Sequence, residues 1–307
     1  MPIHERDPWR VQYFANVMCP ENVFIPTDDA DAYRWNPKHR GVYNKLFVAE
    51  SQDLECAPHG VEPTHYPVFS KPIVNIDGMG VGSSVLRDYD EYKRHYHPGN
   101  MWMTLLEGRH ISSDFAVLAG DTLWVRHSIG LAGPGGTFDY WIIESERLPV
   151  LEQYCAVWIR SHLRGYSGMV NVETIGGRII EAHLRFADQW PDLYGAGWLD
   201  AMVKLYSHDV WDYADTDRRS GYSVALFGPH ARRYAYPPQV LASKIRAARA
   251  VSSLQFTFHP DKAPEAHKMP PGGFRLAVIN VTELSTGLWA RRELAEAFGL
   301  ETHVSSI

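Results

Sequence analysis

Gly168-Met169-Val170-Asn171-Val172-Glu173-Thr174-Ile175-Gly176-Gly177-Arg178-Ile179-Ile180-Glu181 is the most informative stretch of this chain. Two runs rich in β-branched residues flank a Gly-Gly turn, the pattern of a β-hairpin. The second run continues as Glu181-Ala182-His183-Leu184-Arg185, where alternation puts a carboxylate, an imidazole and a guanidinium on one face of the strand. Three such groups suit a binding face better than a core, with Arg185 clamping a phosphate or carboxylate. With Gly176-Gly177-Arg178 as a three-residue loop, Glu173 lies opposite Glu181, Cβ atoms roughly 5 Å apart. Their repulsion then calls for a cation, and a hard dication such as Mg²⁺ fits. With a two-residue Gly176-Gly177 loop the two acids fall on opposite faces and one is simply solvated.

Upstream, Pro67-Val68-Phe69-Ser70-Lys71-Pro72 reads as a buried strand that enters Asp77-Gly78-Met79-Gly80-Val81-Gly82-Ser83-Ser84. Glycines at 78, 80 and 82 allow backbone N–H groups to approach a phosphate closely, and Lys71 supplies a cation at the strand's end. The spacing is neither Walker A nor the Rossmann fingerprint, so a surface turn is the alternative. Helices are expected over 41–56, 88–95, 149–164, 199–206 and 287–298. Strands are expected over 22–26, 222–227 and 274–280, with a hairpin from Phe115 to Val125 turning at Ala119-Gly120-Asp121. This mixed order argues for an α+β fold rather than a doubly wound sheet. Arg160 and Arg164 are candidates for a substrate carboxylate or members of a solvated helix face. Trp190, Tyr194 and Trp198 read as core packing.

The chain has 307 residues, 45% of them hydrophobic and 21% charged, enough for one large core or two modest ones. A formal net charge of -6 offers no footprint for nucleic acid, and no run of about 18 apolar residues spans a bilayer. The N-terminal MPIHERDPWR lacks the apolar region of a secretory signal, so a cytoplasmic location is expected. Cys19, Cys56 and Cys155 are widely spaced and read as packed thiols. A metal-dependent hydrolase is disfavoured, since H-E-x-x-H does not occur.

From about residue 41 to 200 the order of motifs resembles the ATP-grasp superfamily, in its carboxylate–amine ligase and biotin-carboxylase-like branch. Tyr43-Asn44-Lys45 is similar to that family's first nucleotide lysine, and Tyr66 to Pro72 to its second, Lys71. The resemblance implies that the loop 78–84, with Gly78, Gly80, Gly82, Ser83 and Ser84, covers the phosphates. It implies a hinge at Leu105-Leu106-Glu107, where backbone meets the adenine and Glu107 meets the ribose. Glu173 and Glu181 fall on the metal-binding acids, and Arg185 on the arginine of E-x-N-x-R, which would stabilise the acyl phosphate. His183 replaces the asparagine of that motif and as a metal ligand suits Mn²⁺ better than Mg²⁺. Met103-Thr104 replaces a Glu-Lys pair, and His110 replaces an acid.

The resemblance implies two α+β subdomains with nucleotide between them: an abbreviated N-terminal segment over 1–40, a core over 41–210 with a lid near 60–100, and the rest of the large subdomain over 211–307. The short N-terminal segment raises the expectation of a homodimer, a partner chain or a small substrate. The implied activity is ATP-dependent activation of a carboxylate as an acyl phosphate for attack by an amine, with ATP and Mg²⁺ (or Mn²⁺) as cofactors and Lys71 and Arg185 as catalytic groups. The alternatives are a nucleotide-binding protein that has lost catalysis and a carboxylase-type module with a carrier partner.

Overall fold

The computed structural model describes residues 3–5, 7–76 and 78–300; Asp77, with which the glycine-rich segment opens, and the last residues of the chain, 301–307, lie outside them. In chain order the elements begin with β1 (Ile3–His4), β2 (Ile25–Pro26), α1 (Asp29–Trp35) and α2 (Lys45–Glu50). Next come β3 (Cys56–Pro58), β4 (Val68–Pro72), β5 (Ser84–Leu86), α3 (Tyr89–Arg94) and β6 (Asn100–Thr104). The middle of the chain supplies β7 (His110–Leu118), β8 (Asp121–Ala132), β9 (Phe138–Ile143), α4 (Pro149–His162), β10 (Gly168–Ile175), β11 (Arg178–His183) and α5 (Trp198–His208). The last third adds β12 (Gly221–Gly228), α6 (Gln239–Arg246), β13 (Val251–Phe256), β14 (Phe274–Val281) and α7 (Leu284–Ala297).

The strands form an eight-stranded sheet in the order β11-β10-β7-β8-β9-β12-β14-β13 and a four-stranded sheet in the order β3-β6-β4-β5, with a small parallel pair β1-β2. Every pairing in the two larger sheets is antiparallel, so the fold is α+β as its motif order implies. Residues 110–132 make the longest hairpin; its two-residue turn, Ala119-Gly120, has positive φ at both positions, which is what twisted strands require.

One face of the large sheet buries Phe115, Val125 and Val170 against Trp158 and Ile159 of α4. The other face carries aromatic residues: Trp124, Trp141, Trp190, Tyr194 and Trp198 pack there with Phe186 beside α5, so Trp190, Tyr194 and Trp198 are core. A third cluster joins β12, β13 and β14 to α6 and α7.

The single helix expected over 41–56 is instead a 3-10 turn (Arg40–Tyr43), the short α2, and then β3. Asn44 caps α2 by accepting from Leu46 N and Phe47 N, Asp53 adopts a left-handed conformation, and Cys56–Pro58 is drawn into the ladder with β6. The expected strand over 22–26 is reduced to Ile25–Pro26. All three cysteines are free. Arg160 pairs with Asp121 on the exposed side of α4. Among the described residues no helix is long and apolar enough to cross a membrane.

Candidate functional site

The β10–β11 hairpin turns on two residues, Gly176 (φ 57°) and Gly177 (φ 80°), so Ile175 pairs with Arg178 and Thr174 with Ile179. A regular ladder would then put Ile180 across from Glu173. A β-bulge intervenes: the register shifts between Glu173 and Thr174, and Glu173 pairs with Glu181. Of the two loop lengths open from sequence, the shorter is the real one, and the extra residue Ile180 brings the two acids face to face.

Two lysines meet this hairpin. Lys45, at the start of α2, forms an ion pair with Glu181 Oε2, and Lys71 of β4 donates from Nζ to the Ile180 carbonyl at 2.8 Å. Both are buried. Burial, and then the neighbouring Lys45, push the Lys71 ammonium down to about 8. For Glu181 burial opposes ionisation, but Lys45 and His183 outweigh it and hold the carboxyl well below the usual range. On β7, His110 Nε2 lies 2.9 Å from Glu173 Oε2; burial disfavours its charged form, and Glu173 more than compensates, so its pKa is raised.

His183 is 4% exposed, with Nδ1 3.0 Å from Asp29 Oδ1 and Nε2 3.8 Å from Glu181 Oε1. Among the described residues, Nε2 has no hydrogen-bond partner. Burial works against its charge, but Asp29 outweighs that and raises the ring to about 9. Ligand atoms of Glu173, Glu181 and His183 lie within 4.8 Å of one another, a donor set that fits a divalent cation.

Arg185 sits beside this trio but faces Asp29: Nε donates to Oδ1 at 3.0 Å, Nη2 to Oδ2 at 2.8 Å, and Nη1 to the Phe186 carbonyl at 3.2 Å. All three of its nitrogens are engaged.

Lys45, Lys71, Gly78, Gly80, Ser83, Leu105, Leu106, Glu173 and Glu181 line one cleft of about 400 Å³ between the small sheet and the hairpin. Gly82, Ser84, Glu107, His183 and Arg185 do not line it. Gly82 packs its α-carbon side toward Pro72, Ser84 sits in β5 across from Ser70, and Glu107 is exposed.

The sequence reading noted Thr104 and His110 only as departures from the motifs and passed over Phe138, Trp141 and the loop Gly133-Pro134-Gly135-Gly136-Thr137; both noted residues, both aromatics and, from the loop, Gly133, Gly136 and Thr137 line the cleft. That loop had a visible signal, three glycines and a proline in five residues. It meets the glycine-rich segment so closely that a Cβ on Gly136 would lie 3.1 Å from the Met79 carbonyl oxygen. Away from the cleft, Glu5, Asp7 and Asp188 form a second acidic group, bridged by Arg10, which bonds both Asp7 and Asp188.

No known family profile matches the chain, and no curated protein matches it in sequence. Solved structures do resemble it. An L-amino acid ligase from Bacillus licheniformis superposes with a TM-score of 0.63 at 12% identity, covering 94% of this chain and 82% of that one. A phosphoribosylamine–glycine ligase from Thermotoga maritima gives 0.63 at 13% identity, over 94% and 85% of the two chains. A carboxyaminoimidazole ribonucleotide synthase from Aspergillus clavatus, solved complexed with ATP, gives 0.58 at 11% identity, over 85% and 74%. These are ligases of the superfamily that the order of motifs resembles, and their likeness extends over nearly the whole chain. The chain has the ATP-grasp fold.

Proposed function

We propose that the cleft binds ATP and that the chain is a ligase, using the γ-phosphoryl group to activate a carboxylate for attack by an amine. The observation that carries this reading is the convergence, in one cleft of an ATP-grasp fold, of two buried lysines, a glycine-rich loop and two facing carboxylates. The superposed ligases, one of them holding ATP, support it.

Phe69, Val85, Met103 and Leu106 offer apolar surface for a purine, with the backbone of 104–106 at its edge. Lys71, short of charge partners, gains one when a phosphate enters. Backbone at Gly78 and Gly80 and the Ser83 side of the loop close on the phosphates. A divalent cation held by Glu173 and Glu181 would neutralise charge on the phosphoryl oxygens. The chain's own part is positioning: a carboxylate oxygen attacks the γ-phosphorus in line, ADP leaves, and the amine then displaces phosphate from the acyl carbon.

A second reading, nucleotide binding without turnover, draws on Arg185, whose nitrogens are all committed to Asp29 and Phe186. Titration calorimetry with ATP and a non-hydrolysable analogue, with and without Mg²⁺ or Mn²⁺, tests both on the wild type, Lys71→Ala and Glu181→Ala. Metal-dependent binding lost in both variants, followed by ADP release on adding a carboxylate and an amine, supports the ligase. Binding without ADP release across a carboxylate and amine panel supports the second reading, and no binding by the wild type removes both.

A further inference from the structure

The carboxylate of Asp29, from the first turn of α1, is the hub of the region behind the acids. Its Oδ1 accepts from Tyr43 OH at 3.0 Å and from Arg185 Nε at 3.0 Å, and lies 3.0 Å from His183 Nδ1; Oδ2 accepts from Arg185 Nη2 at 2.8 Å. Asp29 and His183 are 7% and 4% exposed, so water does not compete for these contacts.

The consequences follow from the imidazole's chemistry. The carboxylate on Nδ1 fixes that nitrogen and the ring's orientation, so Nε2 is the nitrogen left to meet an ion. That nitrogen is buried, has no hydrogen-bond partner among the described residues, and faces Glu181 with Glu173 beyond it. Other buried polar atoms lack a partner among the described residues too, Trp198 Nε1 being one, but His183 Nε2 is the imidazole nitrogen among them, and it stands beside two carboxylates with ligand atoms within 4.8 Å of the ring's own. The same carboxylate takes both forked donors of Arg185, so the arginine braces Asp29 rather than reaching into the cleft.

We propose that Arg185, Asp29 and His183 form a positioning chain that delivers Nε2 as the third protein ligand, and that the ion taken with Glu173 and Glu181 is a nitrogen-accepting dication of the Mn²⁺ class in preference to Mg²⁺. A site with two carboxylates and an imidazole favours the first-row transition ions, whereas Mg²⁺ holds to oxygen ligands and its own waters. Asp29 is a positioning residue, since it touches neither the ion nor the cleft. The proposal takes from the ligase reading only that a dication enters this cleft.

The test is pulsed electron paramagnetic resonance of Mn²⁺ alone on the full chain, with equilibrium dialysis of Mn²⁺ against Mg²⁺ and no nucleotide present. The wild type should show nitrogen coupling to the manganese and bind Mn²⁺ at least about tenfold more tightly than Mg²⁺. His183→Asn should abolish the coupling and level the two ions. His110→Gln should keep the coupling, because His110 touches the proposed ligand set only through Glu173 and otherwise packs against Phe138 and Trp141. Asp29→Asn should weaken Mn²⁺ about 10- to 100-fold, while circular dichroism shows the fold retained. A wild-type spectrum without nitrogen coupling, or equal affinity for the two ions, overturns the proposal whether or not the variants fold. ATP binding measured separately keeps the two readings apart: nitrogen coupling without ATP binding leaves this proposal standing and removes the ligase, and ATP binding with Mg²⁺ but no nitrogen coupling does the reverse.

Discussion

Glu173 stands directly across the hairpin ladder from Glu181, and it does so because Ile180 is bulged out of register. The bulge lets consecutive residues, Ile180 and Glu181, both face the cleft. It also aims the Ile180 carbonyl at Lys71, so one backbone irregularity places an acid and anchors a cation.

Lys71 is expected to trade stability for binding. Its pKa is lowered from 10.5 to about 8, so keeping the ammonium charged costs about 3 kcal/mol of folding free energy at neutral pH. That cost applies below the folded value and disappears as pH rises from about 8 to 10.5. Lys71→Met should therefore be more stable than the wild type at pH 7, with the gap closing by about pH 10, and should bind ATP roughly ten- to hundredfold more weakly. Thermal melts at the two pH values and calorimetry check both halves; a variant less stable at pH 7 contradicts the argument.

Gly176 and Gly177 share a left-handed backbone but not a neighbourhood. A Cβ on Gly176 would lie 2.3 Å from the Glu107 carbonyl oxygen, whereas a Cβ on Gly177 meets nothing within 4 Å. Each alanine carries the backbone strain, about 1 kcal/mol. Gly176→Ala must in addition push back the 105–107 segment that edges the cleft. It should lose more stability than Gly177→Ala and, unlike it, weaken nucleotide binding. Equal affinities in the two variants would show that 105–107 plays no part in the pocket.

The start of α4 is tied down by Glu152, which accepts from Arg147 Nε at 2.7 Å and Leu148 N at 3.0 Å and sits 3.2 Å from His127 Nε2. Burial disfavours this carboxylate, but Arg147, the Leu148 amide and His127 more than compensate, taking it from 4.5 down to about 2. A depressed acid stabilises above its unfolded value and loses that contribution as pH falls toward the folded one. Arg147 is largely exposed, so solvent screening limits the gain to about 1–2 kcal/mol. Urea unfolding of wild type and Glu152→Gln should differ by that amount at pH 7, and the difference should shrink from about pH 4.5 downward. A difference that stays constant to pH 3 would assign the loss to packing.

Gly287 lies within α7, where alanine ordinarily stabilises a helix by about 1 kcal/mol. Here a Cβ would come within 2.7 Å of Val224 Cγ2 and 2.9 Å of Val281 Cγ2, on the two strands beneath. Overpacking should win, and Gly287→Ala should lower stability by about 1–2 kcal/mol in denaturant unfolding. A more stable variant would mean that α7 can lift off the sheet without loss.

Much of this protein was legible along the chain. The alternation over 168–185, the Gly-Gly turn, the strand ending in Lys71 and the glycines behind it depend on residues a few positions apart, and dihedral preference and side-chain period encode such features locally. The short strands Cys56–Pro58, Ser84–Leu86, Phe138–Ile143 and Val251–Phe256 left no comparable trace, because each is completed by partners elsewhere in the sheets. Glu107 fits the order of motifs but is exposed, since the chain turns at Gly108 to start β7.

Arg185 shows where reading by sequence stops. Its identity and its face of the strand follow from alternation, but its partner Asp29 is 156 residues away. Whether a buried guanidinium meets a phosphate or a carboxylate of its own chain depends on which distant segment folds over it. The same holds for His183, which alternation placed beside the acids but whose ring is oriented by α1. Local periodicity thus set the residue types and the strand face of the site. The bulge at Ile180 and the packing of α1 against β11 set its geometry, because burial makes an unpaired charge too costly and the nearest opposite charge in space, wherever it lies in the chain, becomes the partner.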